Sequence, residues 1–192
     1  AAILGEARDA EVLAEKYDRA LAALPAELVR GPVRDRLVDG ARRRYASGLR
    51  HSLAAMRTAR YFRLLDQLEA LASAAPTSPA DSRRTSVHAA YRRVHKAAKA
   101  AHAATTERDE ALHRIRKGAK RLRYTAAATG AAKVAEAAKA VQTLLGDHQD
   151  AVVSRTHLAA QAEVAHAAGE DTFTYGVLYE QEEELAHCCR EQ

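Results

Sequence analysis

Proline occurs only at positions 25, 32, 76 and 79 of the 192 residues. Because proline is the residue that most reliably stops a helix, this placement leaves long stretches free to be helical. Those stretches are rich in alanine, the strongest helix former, with leucine and valine at spaced positions. Runs of β-branched and aromatic residues of the strand type are few. Hydrophobic residues make up 47% of the chain, enough for a packed core. The sequence therefore predicts an all-α fold.

The breaker residues divide the chain. A first helix is expected over 1–24, ended by Pro25. A second helical stretch starts near Gly31-Pro32, where proline suits a first turn, and runs to about Ala72 with a break near Thr58. Ser73-Ala74-Ala75-Pro76-Thr77-Ser78-Pro79 reads as the one clear linker. Further helices are expected over 85–105, 107–129 with Gly130 as C-cap, 131–168 ending at Gly169, and 170–191. Leu4-Gly5-Glu6-Ala7-Arg8-Asp9-Ala10 matches Leu145-Gly146-Asp147-His148-Gln149-Asp150-Ala151, a short internal repeat across the linker. The repeat divides a single domain into a first helical bundle over 1–73, a linker over 74–84 and a second bundle over 85–192. Two helices precede the motif in the second half and none in the first, so the first bundle is expected to be incomplete and its parent domain to have two more helices upstream. Asp150 is expected to be structural, orienting a neighbouring cation.

Charge is distributed unevenly. Residues 30–63 carry ten Arg and two Asp, residues 83–123 carry thirteen Lys or Arg and three acids, and the remainder is strongly acidic, for a net charge of +5. Two basic blocks on an acidic body form an electrostatic footprint for an anionic partner. Placed on a helix at about 100° per residue, Leu112, Ile115, Ala119, Leu122 and Ala126 form an apolar stripe, with His113, Lys117, Lys120 and Tyr124 opposite. Arg116 and Arg123 flank one edge, and Arg114 and Arg121 the other. The preceding helix repeats the layout: Val87, Ala90, Val94, Ala97 and Ala101 face inward, and His88, Tyr91, Arg92, His95, Lys99 and His102 face outward. Arg36, Arg43, Arg50 and Arg57 recur every seven residues, which would align them on one helical line. Each pattern is also compatible with a solvated face paired to nearby acids, and any single histidine here is more simply a surface residue. Guanidinium groups bind phosphate oxygens in bidentate fashion while ammonium groups act as mobile charges, so the mixture suits a flexible phosphate chain.

His113-Arg114-Ile115-Arg116-Lys117-Gly118-Ala119-Lys120-Arg121-Leu122-Arg123-Tyr124 resembles the signature helix of the CHAD family, the conserved histidine α-helical domains. Leu144-Leu145-Gly146-Asp147-His148-Gln149-Asp150 is similar to that family's second motif, and Leu4-Gly5-Glu6-Ala7-Arg8-Asp9 to its first-half counterpart. Arg60-Tyr61 and the apolar residues after it also fit the pattern. The resemblance implies two pseudo-symmetric helical bundles around a basic groove. It also implies binding of inorganic polyphosphate, often at cytoplasmic polyphosphate granules and often beside a triphosphate-processing domain. By motif position it implies His113, Arg116, Lys117, Lys120, Arg121 and Arg123 as ligand contacts. The first-half copy of the basic helix, expected upstream of Leu4, is not in this chain.

Other classes fit less well. Nucleic acid shares the electrostatic term, but with no Trp and two Phe the stacking platforms are sparse. A metal enzyme could use the Glu-x-x-His pairs Glu110/His113, Glu163/His166 and Glu184/His187, yet the first histidine points away from the apolar stripe. No glycine-rich phosphate loop or nucleophile elbow is present, so a non-enzymatic role without a cofactor is expected. No stretch of about 18 apolar residues predicts a membrane span, and no leader pattern opens the sequence. The adjacent Cys188 and Cys189 are not a disulfide framework, and the cytoplasm is the expected compartment.

Overall fold

The structure, a computed structural model, describes residues 2–74, 86–103 and 108–191. The expected linker at 74–84 lies, apart from Ala74, outside them. Among the described residues there are seven α-helices and no strand: α1 (Ala2–Ala23), α2 (Gly40–Met56), α3 (Ala59–Ser73), α4 (Val87–Ala103), α5 (Arg108–Ala128), α6 (Ala132–Ala167) and α7 (Phe173–Glu191). A 3-10 turn at Ala26–Leu28 follows Pro25, and a π-helical stretch at Asp35–Asp39 leads into α2.

Local chemistry sets the boundaries. The break between α2 and α3 falls at Thr58, whose hydroxyl accepts from the Tyr61 amide at 3.4 Å as an N-cap. Gly130 and Gly169 end α5 and α6 with φ of 76° and 72°, a left-handed conformation that a side chain would strain. Asp171 starts α7 by accepting from the Phe173 amide at 2.8 Å.

The chain forms two compact units. Residues 1–79 and 158–178 make the first, and residues 80–157 and 179–192 the second. The sequence placed 158–178 with the second bundle; their contacts instead complete the first unit. Thr174, fully buried, accepts from the Arg30 amide at 2.8 Å and donates to the Leu28 carbonyl at 2.7 Å. Glu170 takes both Nε and Nη2 of Arg36 at 2.5 Å. The first core is built on Tyr17, Val33, Leu37 and Val38, all essentially inaccessible. Each such side chain contributes about 1.5–3 kcal/mol through burial.

The repeated motif keeps one burial register within its two settings. Ala7 and His148 are buried, as are Ala10 and Ala151, and Tyr17 and Leu158 one further step along. Leu145 is buried among Ala101, Ala111 and Ile115, whereas Leu4 is half exposed. In the first unit α1 and α2 approach closely at Gly48, where an added Cβ would stand 2.9 Å from Ala7 Cβ and 3.1 Å from its Cα.

Two glycine substitutions should therefore have opposite signs. Gly48→Ala forces the α1–α2 contact apart at a cost of about 1–3 kcal/mol, more than the roughly 1 kcal/mol of helix propensity it gains. Gly176→Ala in α7 meets nothing within 4 Å and should stabilise by about 0.5–1 kcal/mol. Denaturant midpoints of the two variants check this; a stabilising Gly48→Ala would refute the close contact.

Candidate anion-binding site

The basic helix α5 opens with Asp109 and Glu110 in its first turn, where carboxylates suit the positive end of the helix dipole. Its buried side is Ala111, Ile115, Ala119, Leu122 and Ala126, so Ala111 takes the innermost position expected for Leu112. It packs along α4, with the Cβ position of Gly118 3.2 Å from Val94 Cγ2. On α4, Ala90 and Ala101 are buried while His88, Tyr91, Arg92, His95, Lys99 and His102 are exposed, as the periodicity predicts.

On the open side of α5, Lys117, Lys120, Arg121 and Tyr124 are exposed and His113 is half-buried. Arg114 lies 3.9 Å from Glu110. Among the described residues no carboxylate comes within ion-pairing distance of Lys117, Lys120 or Arg121, nor of Arg92 and Lys99 on α4.

Arg116 and Arg123 are placed differently. Both are half-buried against α6: the Nε of Arg116 lies 3.6 Å from the Cβ position of Gly146, and Nη1 of Arg123 donates to Gln142 at 3.3 Å. The Arg116 guanidinium thus packs against α6 beside Gly146, at ordinary van der Waals distance from where a Cβ would stand. The Nε of Arg116 and the Nδ1 of His113 are buried without a hydrogen-bond partner.

His113 and Lys117 line a recess of about 420 Å³ together with Asp109, Glu110, Arg114 and Gln149. The sequence reading missed the recess and the burial of His148, which lies beside Asp109 of its lining. This imidazole is buried, and its Nε2 lies 3.5 Å from Asp109 Oδ1 without a hydrogen bond. Burial pushes its pKa below the ordinary value of 6.5, against the pull of Asp109 and with help from Arg190 and Arg155. The signal was available, since Leu145 and His148 are three residues apart on one helix and share a face. Asp150 is exposed, and His148 is the inward-facing member of the motif.

The four arginines spaced by sevens all belong to the first unit, and the first of them lies ahead of α2. A seven-residue repeat aligns side chains only in α-helical geometry, and Arg36 sits in the π-helical stretch, where the turn is wider. Its guanidinium is engaged by Glu170, whose carboxyl is held below its ordinary value by that hydrogen bond. Arg43 reaches the Asp35 carbonyl at 3.4 Å, and Arg50 and Arg57 are exposed. Of the Glu-x-x-His pairs, Glu163, His166, Glu184 and His187 are all exposed. No group of three or more His, Cys, Asp or Glu side chains is arranged to hold a metal ion among the described residues. Cys188 is exposed and Cys189 buried, both as free thiols. No described helix is long and apolar enough to cross a membrane.

A family model described as "CHAD domain" matches residues 1–159. Two curated relatives, each an uncharacterized protein from a strain of Mycobacterium tuberculosis, are 65% identical over 197 residues, covering 99% of this chain and 38% of the relative. The chain thus spans about two fifths of the length of these relatives. No solved structure matches it.

The buried histidine makes stability pH-dependent. A group that is harder to protonate when folded favours unfolding once protons become available, so its contribution is complete above about pH 6.5 and is lost as pH falls below that value toward the folded pKa. Unfolding free energy should drop on acidification through this window, and His148→Gln should flatten the drop. An unchanged pH profile in His148→Gln would show that the imidazole is not the responsible group.

Proposed function

The chain belongs to the CHAD domain family, and we propose that it binds inorganic polyphosphate through the open face of α5 and the adjoining cations of α4. The observation that carries this reading is the set Lys117, Lys120 and Arg121, exposed on one helix with no carboxylate paired to them among the described residues. A phosphate chain presents a regular row of negative oxygens. Exposed ammonium groups follow such a row as mobile point charges, while Arg116 and Arg123, steadied against α6, supply directed guanidinium donors. His113 adds an imidazole at the mouth of the recess, and Tyr124 a phenol donor.

In this reading the chain holds its ligand without turning it over. Polyphosphate granules in the cytoplasm are the proposed place of action. A triphosphate-processing domain, within a longer protein or as a separate chain, is the proposed partner, a role that placement beside a captured phosphate chain would serve.

Lys117→Ala combined with Lys120→Ala tests the assignment. Alanine preserves helix propensity, and each charged hydrogen bond lost to phosphate is worth at most about 1.5–3 kcal/mol, less under solvent screening. The double variant should bind polyphosphate about tenfold or more weakly by calorimetry at fixed salt, with unchanged helicity. Lys133→Ala and Lys139→Ala, exposed on α6 outside the basic blocks, should change little. Equal losses in all variants would mean diffuse attraction and would remove the site.

A further inference from the structure

The recess beside α5 has two carboxylates in its wall, and only one of them is answered by a fixed cation. Asp109 and Glu110 share the lining with His113, Arg114, Lys117 and Gln149. Glu110 has the Arg114 guanidinium at 3.9 Å. Among the described residues no lysine or arginine comes within ion-pairing distance of Asp109. Its partner is His148 of α6, whose Nε2 lies 3.5 Å from Oδ1. That nitrogen is buried without a hydrogen bond, on a side chain only 2% exposed.

The charges that act on His148 come from three helices: Asp109 from α5, Arg155 from α6 itself and Arg190 from α7. Glu183 holds both arginines, at 2.5 Å from Arg155 and 3.2 Å from Arg190. Burial, opposed by Asp109 and helped by the two arginines, keeps the pKa of His148 below 6.5, so the imidazole is neutral at neutral pH. Asp109 then stands as an uncompensated negative charge where an anion has to enter. A proton on His148 changes this. The two atoms need to close by only a few tenths of an ångström for Nε2–H to donate to Oδ1, and the ion pair so formed cancels much of the field of Asp109.

We propose that His148 and Asp109 form a proton-operated control on the anion site: while His148 is neutral the Asp109 carboxylate weakens phosphate binding in the recess, and when His148 is protonated that carboxylate is neutralised and phosphate binds more tightly. The proposal rests on the polyphosphate reading and adds its regulation. His148 acts through Asp109 as a positioning residue. The protonated form is populated as pH falls below about 6.5 toward the lowered pKa, so the tightening belongs to that acid window. Linkage runs both ways, and bound phosphate raises the proton affinity of His148 by the factor that the proton raises phosphate affinity.

The test is calorimetric titration of the full chain with long-chain polyphosphate between about pH 7.5 and 5.5 at fixed ionic strength. The internal phosphates of a long chain stay ionised over this range, so the ligand's charge is nearly constant. Affinity should rise on acidification. Exposed histidines add to the rise, so the variants decide. His148→Gln should remove from it a factor on the order of fivefold, the worth of one unit charge at short range in a partly solvated recess. Asp109→Asn, at an exposed position, should bind more tightly by about that factor at the neutral end and lose the same part of the rise. Adding His148→Gln to it should change nothing further, because the buried imidazole has by then lost the one charge that favours its proton. His113→Gln should keep the part of the rise that depends on His148. A full rise in a folded His148→Gln, or an Asp109→Asn that binds no more tightly at the neutral end, overturns the control and leaves the anion site standing. The second of these outcomes is decisive even if the core substitution costs the fold. Absence of polyphosphate binding by the unaltered chain at every pH overturns both readings.

Discussion

The contact on which the anion face depends is the thin apolar side of α5. Ala111, Ala119 and Ala126 alternate with Ile115 and Leu122 along it, and small side chains let α5 lie close to its neighbours. Like charges spaced three or four apart on a helix cost a few tenths of a kcal/mol each. Burying Ile115 and Leu122 alone contributes about 1.5–3 kcal/mol apiece. Packing therefore outweighs the repulsion, and α5 holds its cations in place before any ligand arrives. Gly118 extends the same logic by admitting Val94.

Most of the fold was legible because its punctuation is local. Pro25, Thr58, Gly130 and Gly169 act through their own backbone preferences, and each stands at the boundary the sequence assigned to it. Less legible was the membership of residues 158–178 in the first unit, since nothing in a helical period says which neighbour a face will meet. The π-helical stretch at Asp35–Asp39 was not legible either. It leaves hydrophobic spacing intact while changing the turn, and that is why Arg36 fell out of a line that looked regular on paper.

The candidate site divides in the same way. Lys117, Lys120 and Tyr124 were placed by periodicity, because exposure follows directly from lying opposite an apolar stripe. Arg116 and Arg123 have the same charge but another position, and only the approach of α6 distinguishes them. His148 shows the limit of reading polar residues as outward-facing. A single imidazole is small enough and neutral enough to sit inside, where burial favours its uncharged form.

The clamp between Arg36 and Glu170 joins residues 134 apart in sequence. Synthesis from the N-terminus at about 5–20 residues per second delivers the arginine on the order of ten seconds before the glutamate. The hydrogen bonds of Thr174 to the segment after α1 arrive later still. The family model ends at residue 159, short of all these partners. Arg36 is thus made well before the carboxylate that pairs with it. In the finished unit the Arg36 charge is taken up in tying the stretch before α2 to the junction between α6 and α7, not presented to an outside ligand.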